Sequence, residues 1–199
     1  MKVFYHFAVT GFSNTYLIGP DEGGEAILID PGILDVELLR LIEDNNFYVK
    51  HILITHGHKS HYNGIKTLLK VYDSRIYSAS SRIMDYPSER LENGAVIKLS
   101  GMEISIIEIP GHSSDSLVFR IEDMLFTGDV LRAGQIGTTT NKYSRAILIS
   151  AIKEKIFTLE DNLLIFPGHG APSTIKAEKL LNPDIIEDSF KSFKYQASK

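Results

Sequence analysis

Along the first third of the chain, apolar residues alternate or cluster in short runs set off by turn-forming residues. KVFYHFAV (2–9) and NTYLIG (14–19) read as strands, PDEGG (20–24) as a hairpin turn, and EAILID (25–30) as a further strand ending at Asp30-Pro31-Gly32. A β-sheet starts here. From Asp35, a suitable N-cap, the apolar spacing Val36, Leu39, Ile42 predicts a helix that fades at Asn45-Asn46. KHILIT (50–55) follows as a short, largely apolar strand of the kind buried on both faces. Beyond it, Ile65, Leu68, Leu69 and Tyr72 recur at i, i+3, i+4 and i+7, which predicts a second amphipathic helix.

The second half repeats this alternation of blocks. AVIKL (95–99) and MEISIIEIP (102–110) read as strands joined by a turn at Ser100-Gly101, and SLVFRIE (116–122) and MLFTGD (124–129) as a hairpin turning at Glu122-Asp123. A third helix is expected to start near Ser144 and to bury Leu148, Ile152, Ile156 and Leu159, with NLLIF (162–166) as a last strand. Helices are expected on the outside. No repeat, low-complexity tract or linker divides the chain, so residues 1–199 are expected to form one domain, with a polar tail fraying from Pro183.

Composition narrows the function. A chain of 199 residues, 43% hydrophobic and with a formal charge of −4, can bury a sizeable core. Its mild acidity and lack of a basic tract argue against a nucleic-acid partner and leave a small-molecule substrate. No run approaches the roughly 18 apolar residues of a membrane span, and the first residues do not read as a secretory signal. Cysteine is absent, which excludes disulfides and thiolate ligands and fits a cytoplasmic location. Any metal must be held by nitrogen and oxygen.

Histidine is placed where such a metal would need it. Five of the seven histidines follow apolar strands: His56, His58 and His61 after ILIT, His112 in IPGHSSDS and His169 in IFPGHG. Asp129 in LFTGDV occupies the same kind of place. Strand ends on a rigid sheet can aim side chains at one point, and glycine adjoins every one of these residues except His61. His56 and His58, at i and i+2, share a side if their loop is extended. Three imidazoles with one position left open make a catalytic type of zinc site. Each segment alone has a plainer reading: HGHKSH as a solvated polar loop, the Gly-His and Gly-Asp pairs as turns. His6 and His51 carry no expected role.

Taken in order, these segments resemble the metallo-β-lactamase superfamily, with its T-H-x-H-x-D-H segment followed by Gly-His, Gly-Asp and Gly-His. FTGDVL, FPGHGAPSTI and EKLLNP are most similar to the glyoxalase II branch and its short single-domain relatives. The resemblance implies an α+β fold, an αββα sandwich of two mixed sheets face to face with helices outside. It implies that His56, His58 and His112 hold one metal, that His61 and His169 hold a second, and that Asp129 bridges them. Zinc, as one or two ions, is the expected cofactor, with iron or manganese as alternatives. The expected activity is hydrolysis of a small thioester or ester.

The chain departs from that pattern at Ser60, where the family has the aspartate. A neutral hydroxyl is a poor ligand for a divalent ion, so the second site should be weakened while the first still fills. Ser60 is also expected to cap the helix carrying Ile65 and Leu68. Thr138 stands where glyoxalase II carries a cation, which puts glutathione recognition in doubt and turns attention to Arg132, Lys142 or Arg145 as charge for an anionic substrate. The alternatives to the hydrolase are a mononuclear iron enzyme resembling the persulfide dioxygenases, using His56, His112 and Asp129, and a metal-binding regulatory module.

Overall fold

The computed structural model describes residues 1–186 and arranges them as two six-stranded β-sheets packed face to face, with helices outside. The first sheet has the order β1 (Lys2–Ala8), β2 (Ser13–Gly19), β3 (Gly24–Ile29), β4 (Phe47–Leu53), β5 (Arg75–Ser78) and β8 (Glu89–Arg90). Its first three strands form an antiparallel meander and the rest add in parallel. Parallel neighbours need a crossover, and α1 (Val36–Asp44) and α3 (Ile65–Val71) make two of them. The second sheet runs β16 (Ser173–Thr174), β15 (Leu164–Pro167), β12 (Met124–Gly128), β11 (Leu117–Ile121), β10 (Met102–Glu108), β9 (Val96–Leu99). Only β12 and β15 pair in parallel there, and α4 (Lys142–Ala151) spans the crossover. Two short ladders, β6 (Arg82–Ile83) with β7 (Tyr86–Pro87) and β13 (Leu131–Arg132) with β14 (Gln135–Ile136), and the helices α2 (Lys59–Tyr62) and α5 (Ile175–Leu181) complete the described residues.

Strand alternation sorts the apolar residues into three layers. Tyr16, Ile18, Ile27 and Ile29 of the first sheet meet Ile104, Ile106, Phe119 and Phe126 of the second in the central core. Their neighbours Leu17 and Leu28 point the other way, onto Leu38 and Ile42 of α1 and Ile65 and Leu68 of α3. Val118, Leu125 and Ile165 likewise face Leu148, Ile152 and Ile156. This is the αββα sandwich. Among the described residues no helix is long and apolar enough to cross a membrane.

Several local expectations shift. Asp35 does cap α1, accepting from Leu38 N at 2.9 Å, but the buried face is Leu38 and Ile42, and Val36 is exposed. The third helix begins at Lys142, not Ser144, because Asn141 accepts from both Tyr143 N and Ser144 N. It then widens into a π-helical turn, Ile152–Ile156, where Phe157 N–H bonds to the Ile152 carbonyl five residues back. That extra residue keeps Ile152 and Ile156 on the buried side and leaves Leu159 beyond the helix, half-buried. β16 and α5 were not expected, although Thr174 is an N-cap accepting from Ala177 N. The tail expected to fray is described only to residue 186: Ile185 N and Ile186 N bond back to the Asn182 carbonyl and Ile185 is buried. The remainder lies outside the described residues.

Candidate metal centre

The loops after β4, β10, β12 and β15 meet at one end of the sandwich, and their backbones are tied together. Leu117 N bonds Thr55 O at 2.8 Å, Gly168 N bonds Gly128 O at 2.7 Å and Asn14 N bonds Gly168 O at 2.7 Å. Asn14 also donates its amide to the carbonyls of Pro167 and Gly170, and the Tyr16 hydroxyl donates to Pro167 at 2.6 Å. Strand β2 therefore fixes the loop that carries His169.

These ties bring all six singled-out side chains together in two clusters that share a carboxylate. His56, His58, His112 and Asp129 form one, and His61, Asp129 and His169 the other. In the first, His56 Nε2 lies 2.9 Å from His58 Nδ1, and His112 Nε2 lies 3.3 and 3.1 Å from those two atoms. A tetrahedral cation about 2.0–2.1 Å from each imidazole nitrogen spaces such nitrogens by roughly 3.3–3.4 Å. The observed triangle is slightly tighter. Asp129 Oδ2 stands 3.9, 3.7 and 3.5 Å from the Nε2 atoms of His56, His112 and His169, and Oδ1 stands 3.5 Å from His61 Nε2.

Each ring except His58 is held by an oxygen at its far nitrogen. His56 Nδ1 meets Thr55 Oγ1 at 3.1 Å, His61 Nδ1 meets Asp30 Oδ2 at 2.9 Å, His112 Nδ1 meets the Thr138 carbonyl at 2.8 Å and His169 Nδ1 meets the Phe12 carbonyl at 2.7 Å. An acceptor there keeps a hydrogen on Nδ1 and turns Nε2 inward, as a lone pair wherever the ring is neutral. His58 presents Nδ1 instead.

Asp30 ties this shell to the sheet and has no counterpart among the expected site residues. It is 2% exposed and takes Thr55 N, Thr55 Oγ1 and His61 Nδ1, with φ of 51° in the left-handed region that aspartate tolerates better than most residues. The available signal was an aspartate ending an apolar strand, but Asp-Pro-Gly also reads as an ordinary turn.

Electrostatics divides the two clusters. Burial, with His61 nearby, pushes His56 down to about 3, and burial also lowers His112. Both are neutral and have a free lone pair. Burial opposes charge on His61 too, but the carboxylates of Asp30 and Asp129 outweigh it and raise His61 to about 10. Burial would raise Asp129, and its contact with His61 and the other imidazoles holds it well below the usual carboxylate range.

A cation fits the second cluster on two counts. His61 Nε2 and Asp129 Oδ1 are buried and neither makes a hydrogen bond among the described residues, a costly state that a shared ion would relieve. Gly168 leaves the space open: a Cβ there would stand 2.5 Å from His61 Cε1 and 2.8 Å from Asp129 Oδ1. Side-chain exposure rises from 0% at His61 to 22% at His169, and His58 is exposed in the first cluster, so both clusters reach solvent.

A family model for the metallo-beta-lactamase superfamily matches residues 8–169. The chain belongs to that superfamily. A hydroxyacylglutathione hydrolase from Haemophilus influenzae is 32% identical over 88% of this chain and 94% of its own length. The bovine mitochondrial persulfide dioxygenase is 32% identical over 85% of this chain and 70% of its own. Among solved structures, ETHE1 from Myxococcus xanthus superposes with a TM-score of 0.83 at 25% identity, covering 92% of this chain and 84% of that one.

The superfamily's aspartate position is the point of departure, and here the expectation for Ser60 needs correction. Ser60 does not cap the helix carrying Ile65 and Leu68, which starts at Ile65 after Gly64 with no side-chain cap. It sits inside α2, where its carbonyl accepts the Ser13 hydroxyl at 2.6 Å. Serine therefore stands there without the capping role that would explain it. Thr138 is exposed, and its structural contribution is its carbonyl on His112. Arg132 is half-buried in β13, where its charge helps lower Asp184, and Arg145 pairs with Asp184 at 2.7 Å. Lys142 lies 5.3 Å over its neighbour Tyr143.

Proposed function

We propose that the protein is a metal-dependent hydrolase of small thioesters or esters. The observation that carries this reading is Asp129, one carboxylate shared between an imidazole triad and an imidazole pair. His56, His58 and His112 would hold one ion, His61 and His169 a second, with Asp129 between them. A bound divalent ion supplies Lewis acidity, polarising a carbonyl oxygen and lowering the pKa of water to about 7. The chain's residues supply the geometry. Thr55, Asp30, Thr138 and Phe12 hold four imidazoles by their Nδ1 hydrogens, so none of those four has to turn when substrate enters. Asp129, kept ionised, acts through its charge rather than as a proton acceptor.

In the net reaction water adds its oxygen to the acyl carbon and the carbon–sulfur or carbon–oxygen bond breaks. One proton goes to the departing thiolate or alkoxide, giving a carboxylic acid and a thiol or alcohol. Zinc suits the imidazole-rich set, and iron and manganese also accept imidazole and carboxylate. The neutral Ser60 leaves the second ion with His61, His169 and a shared charge, and so more weakly bound than the first. The exposed Thr138 beside His112 is the proposed substrate contact; Arg132, half-buried in β13, is the weaker one.

The test is hydrolysis of a thioester series by purified protein, with metal counted per chain. Chelation and His56→Ala should each lower kcat/KM by more than about a hundredfold, and hydrolysis surviving both would defeat the reading. A second reading, a mononuclear iron enzyme oxidising a persulfide, is favoured by Ser60 alone. With no carboxylate added to the second cluster, His56, His112 and Asp129 form a two-histidine, one-carboxylate set. One iron per chain, with oxygen consumed on a persulfide and no thioester cleaved, would favour it.

A further inference from the structure

The segment EKLLNP (178–183) stood out in the sequence but contributes none of the six candidate ligands. It carries two polar side chains that are almost wholly buried, Glu178 at 3% exposure and Asn182 at 0%. Burying a carboxylate is costly unless its oxygens are satisfied, and those of Glu178 are. They accept from Gly134 N at 3.1 and 3.3 Å, from Ser173 Oγ at 2.5 Å and from Asn182 Nδ2 at 2.7 Å. Asn182 Oδ1 in turn accepts from Asp184 N, and the Asp184 carboxylate accepts from Ile136 N at 3.0 Å.

Gly134 and Ile136 belong to the hairpin β13–β14, whose ladder pairs only Leu131 with Ile136 and Arg132 with Gln135. So short a ladder does not keep its shape alone. It is held from outside, by Glu178 at the turn and Asp184 on the returning strand, while Leu131 and Ile136 share a buried cluster with Ile175 and Ile185. Both ends of the hairpin meet the metal centre. It leaves Asp129 through Val130 and returns through Gly137, where a Cβ would stand 2.0 Å from the Asp129 carbonyl oxygen and 3.0 Å from His112 Cβ. The next residue, Thr138, puts its carbonyl on His112 Nδ1. A hairpin that slid or twisted would carry both ligands with it.

We propose that Glu178, with Asp184, is a positioning residue of the metal centre: it holds the β13–β14 hairpin so that Asp129 and His112 face the same ion. This rests on the metal-binding part of the reading above and applies whichever reaction the centre performs.

Amide substitutions test it without changing volume. Glu178→Gln leaves one acceptor oxygen for three donors, and Asp184→Asn weakens the hold on Ile136. Zinc titration of metal-free protein against a chelating dye should show the tighter binding step weakened about tenfold in Glu178→Gln, and by less in Asp184→Asn. The visible absorption of the cobalt(II)-loaded protein, which follows ligand geometry, should change in both. Ile42→Val, under α1 on the opposite helical layer, controls for lost stability alone and should alter neither readout. If Glu178→Gln lowers the denaturant midpoint as Ile42→Val does, with zinc affinity and cobalt spectrum intact, its role is merely structural and the proposal is overturned. Asp184 has a side chain 29% exposed, so its variant decides the matter by the same two readouts if Glu178→Gln does not fold. Metal binding is read here without substrate. Failure to cleave any thioester would sink the hydrolase reading and leave the positioning role standing, hydrolysis with both variants' metal binding and spectra unaltered would sink the positioning role alone, and wild-type protein that takes up no ion would sink both.

Discussion

Asp30 and His61 are 31 residues apart in sequence and joined by a 2.9 Å contact between Oδ2 and Nδ1, both side chains almost wholly buried. The carboxylate keeps a hydrogen on His61 Nδ1 and leaves Nε2 facing Asp129. A residue that touches no candidate ion thus orients one that would.

Asp30→Asn tests that relationship. Asparagine tolerates φ of 51° and can still accept from Thr55 N through its carbonyl, so the fold should persist. What is lost is the charge that holds His61 in one tautomer. Metal titration should show the weaker of two binding steps falling about ten- to a hundredfold, with the tighter step changing much less.

Ser60→Asp should do the reverse. A carboxylate added next to His61 supplies charge to a cluster that otherwise has only its share of Asp129. We expect the second ion to bind at least about tenfold more tightly, about 1.4 kcal/mol, read by competition with a chelating dye. An unchanged second step would mean that the side chain at this position does not reach the ion.

Gly168→Ala should close the second cluster. The added methyl would overlap the His61 ring and Asp129 Oδ1, and neighbours locked by Asp30 and by the Gly128 carbonyl have little room to retreat. A destabilisation of about 1–3 kcal/mol is expected in denaturant melts, together with metal content dropping towards one ion per chain.

Metal-free protein should have a stability optimum near pH 6.5. His61 is raised to about 10, so its contribution is complete below its unfolded value and is lost as pH climbs through 10. His56 is lowered to about 3 and stays neutral in the fold while the unfolded chain takes up a proton, so stability falls as pH drops from about 6.5 towards 3. Lowered Asp129 adds to the acid-side loss below its ordinary range. Denaturant midpoints measured in chelator across pH 4–10 check this. In metal-loaded protein the alkaline fall should disappear, and loading at pH 7 should release a proton from His61, measurable as a buffer-dependent heat.

Much of the fold is legible along the chain because its signals are local. Alternation sends Tyr16 and Ile18 inward and Leu17 outward, and Asp35 announces the start of α1. The six polar residues at strand ends were legible for a chemical reason: without cysteine, only imidazole and carboxylate can bind a transition metal tightly. Other features had weaker signals. Val36 had helical spacing but lies on the exposed flank of α1, which only the placement of the sheet determines. The π-helical turn after Ala151 has no local signal in the sequence, and the role expected for Ser60 failed because α3 begins four residues later than a serine cap would require. The carbonyls of Phe12 and Thr138 that hold His169 and His112 have no sequence signature at all, since every residue has a carbonyl.

By itself the sequence determined most of the strands and helices and the donor chemistry, because periodicity, glycine punctuation and residue type are properties of short segments, and its ordered motifs carried the family resemblance that implied the two-sheet sandwich. Only the tertiary structure decided that Asp30 orients His61, that Asp129 lies between two clusters and that the Phe12 carbonyl holds His169. Those depend on which loops the two sheets bring to the same end, and contacts across 31, 68 or 157 residues are set by the packing of the sheets rather than by any neighbourhood along the chain.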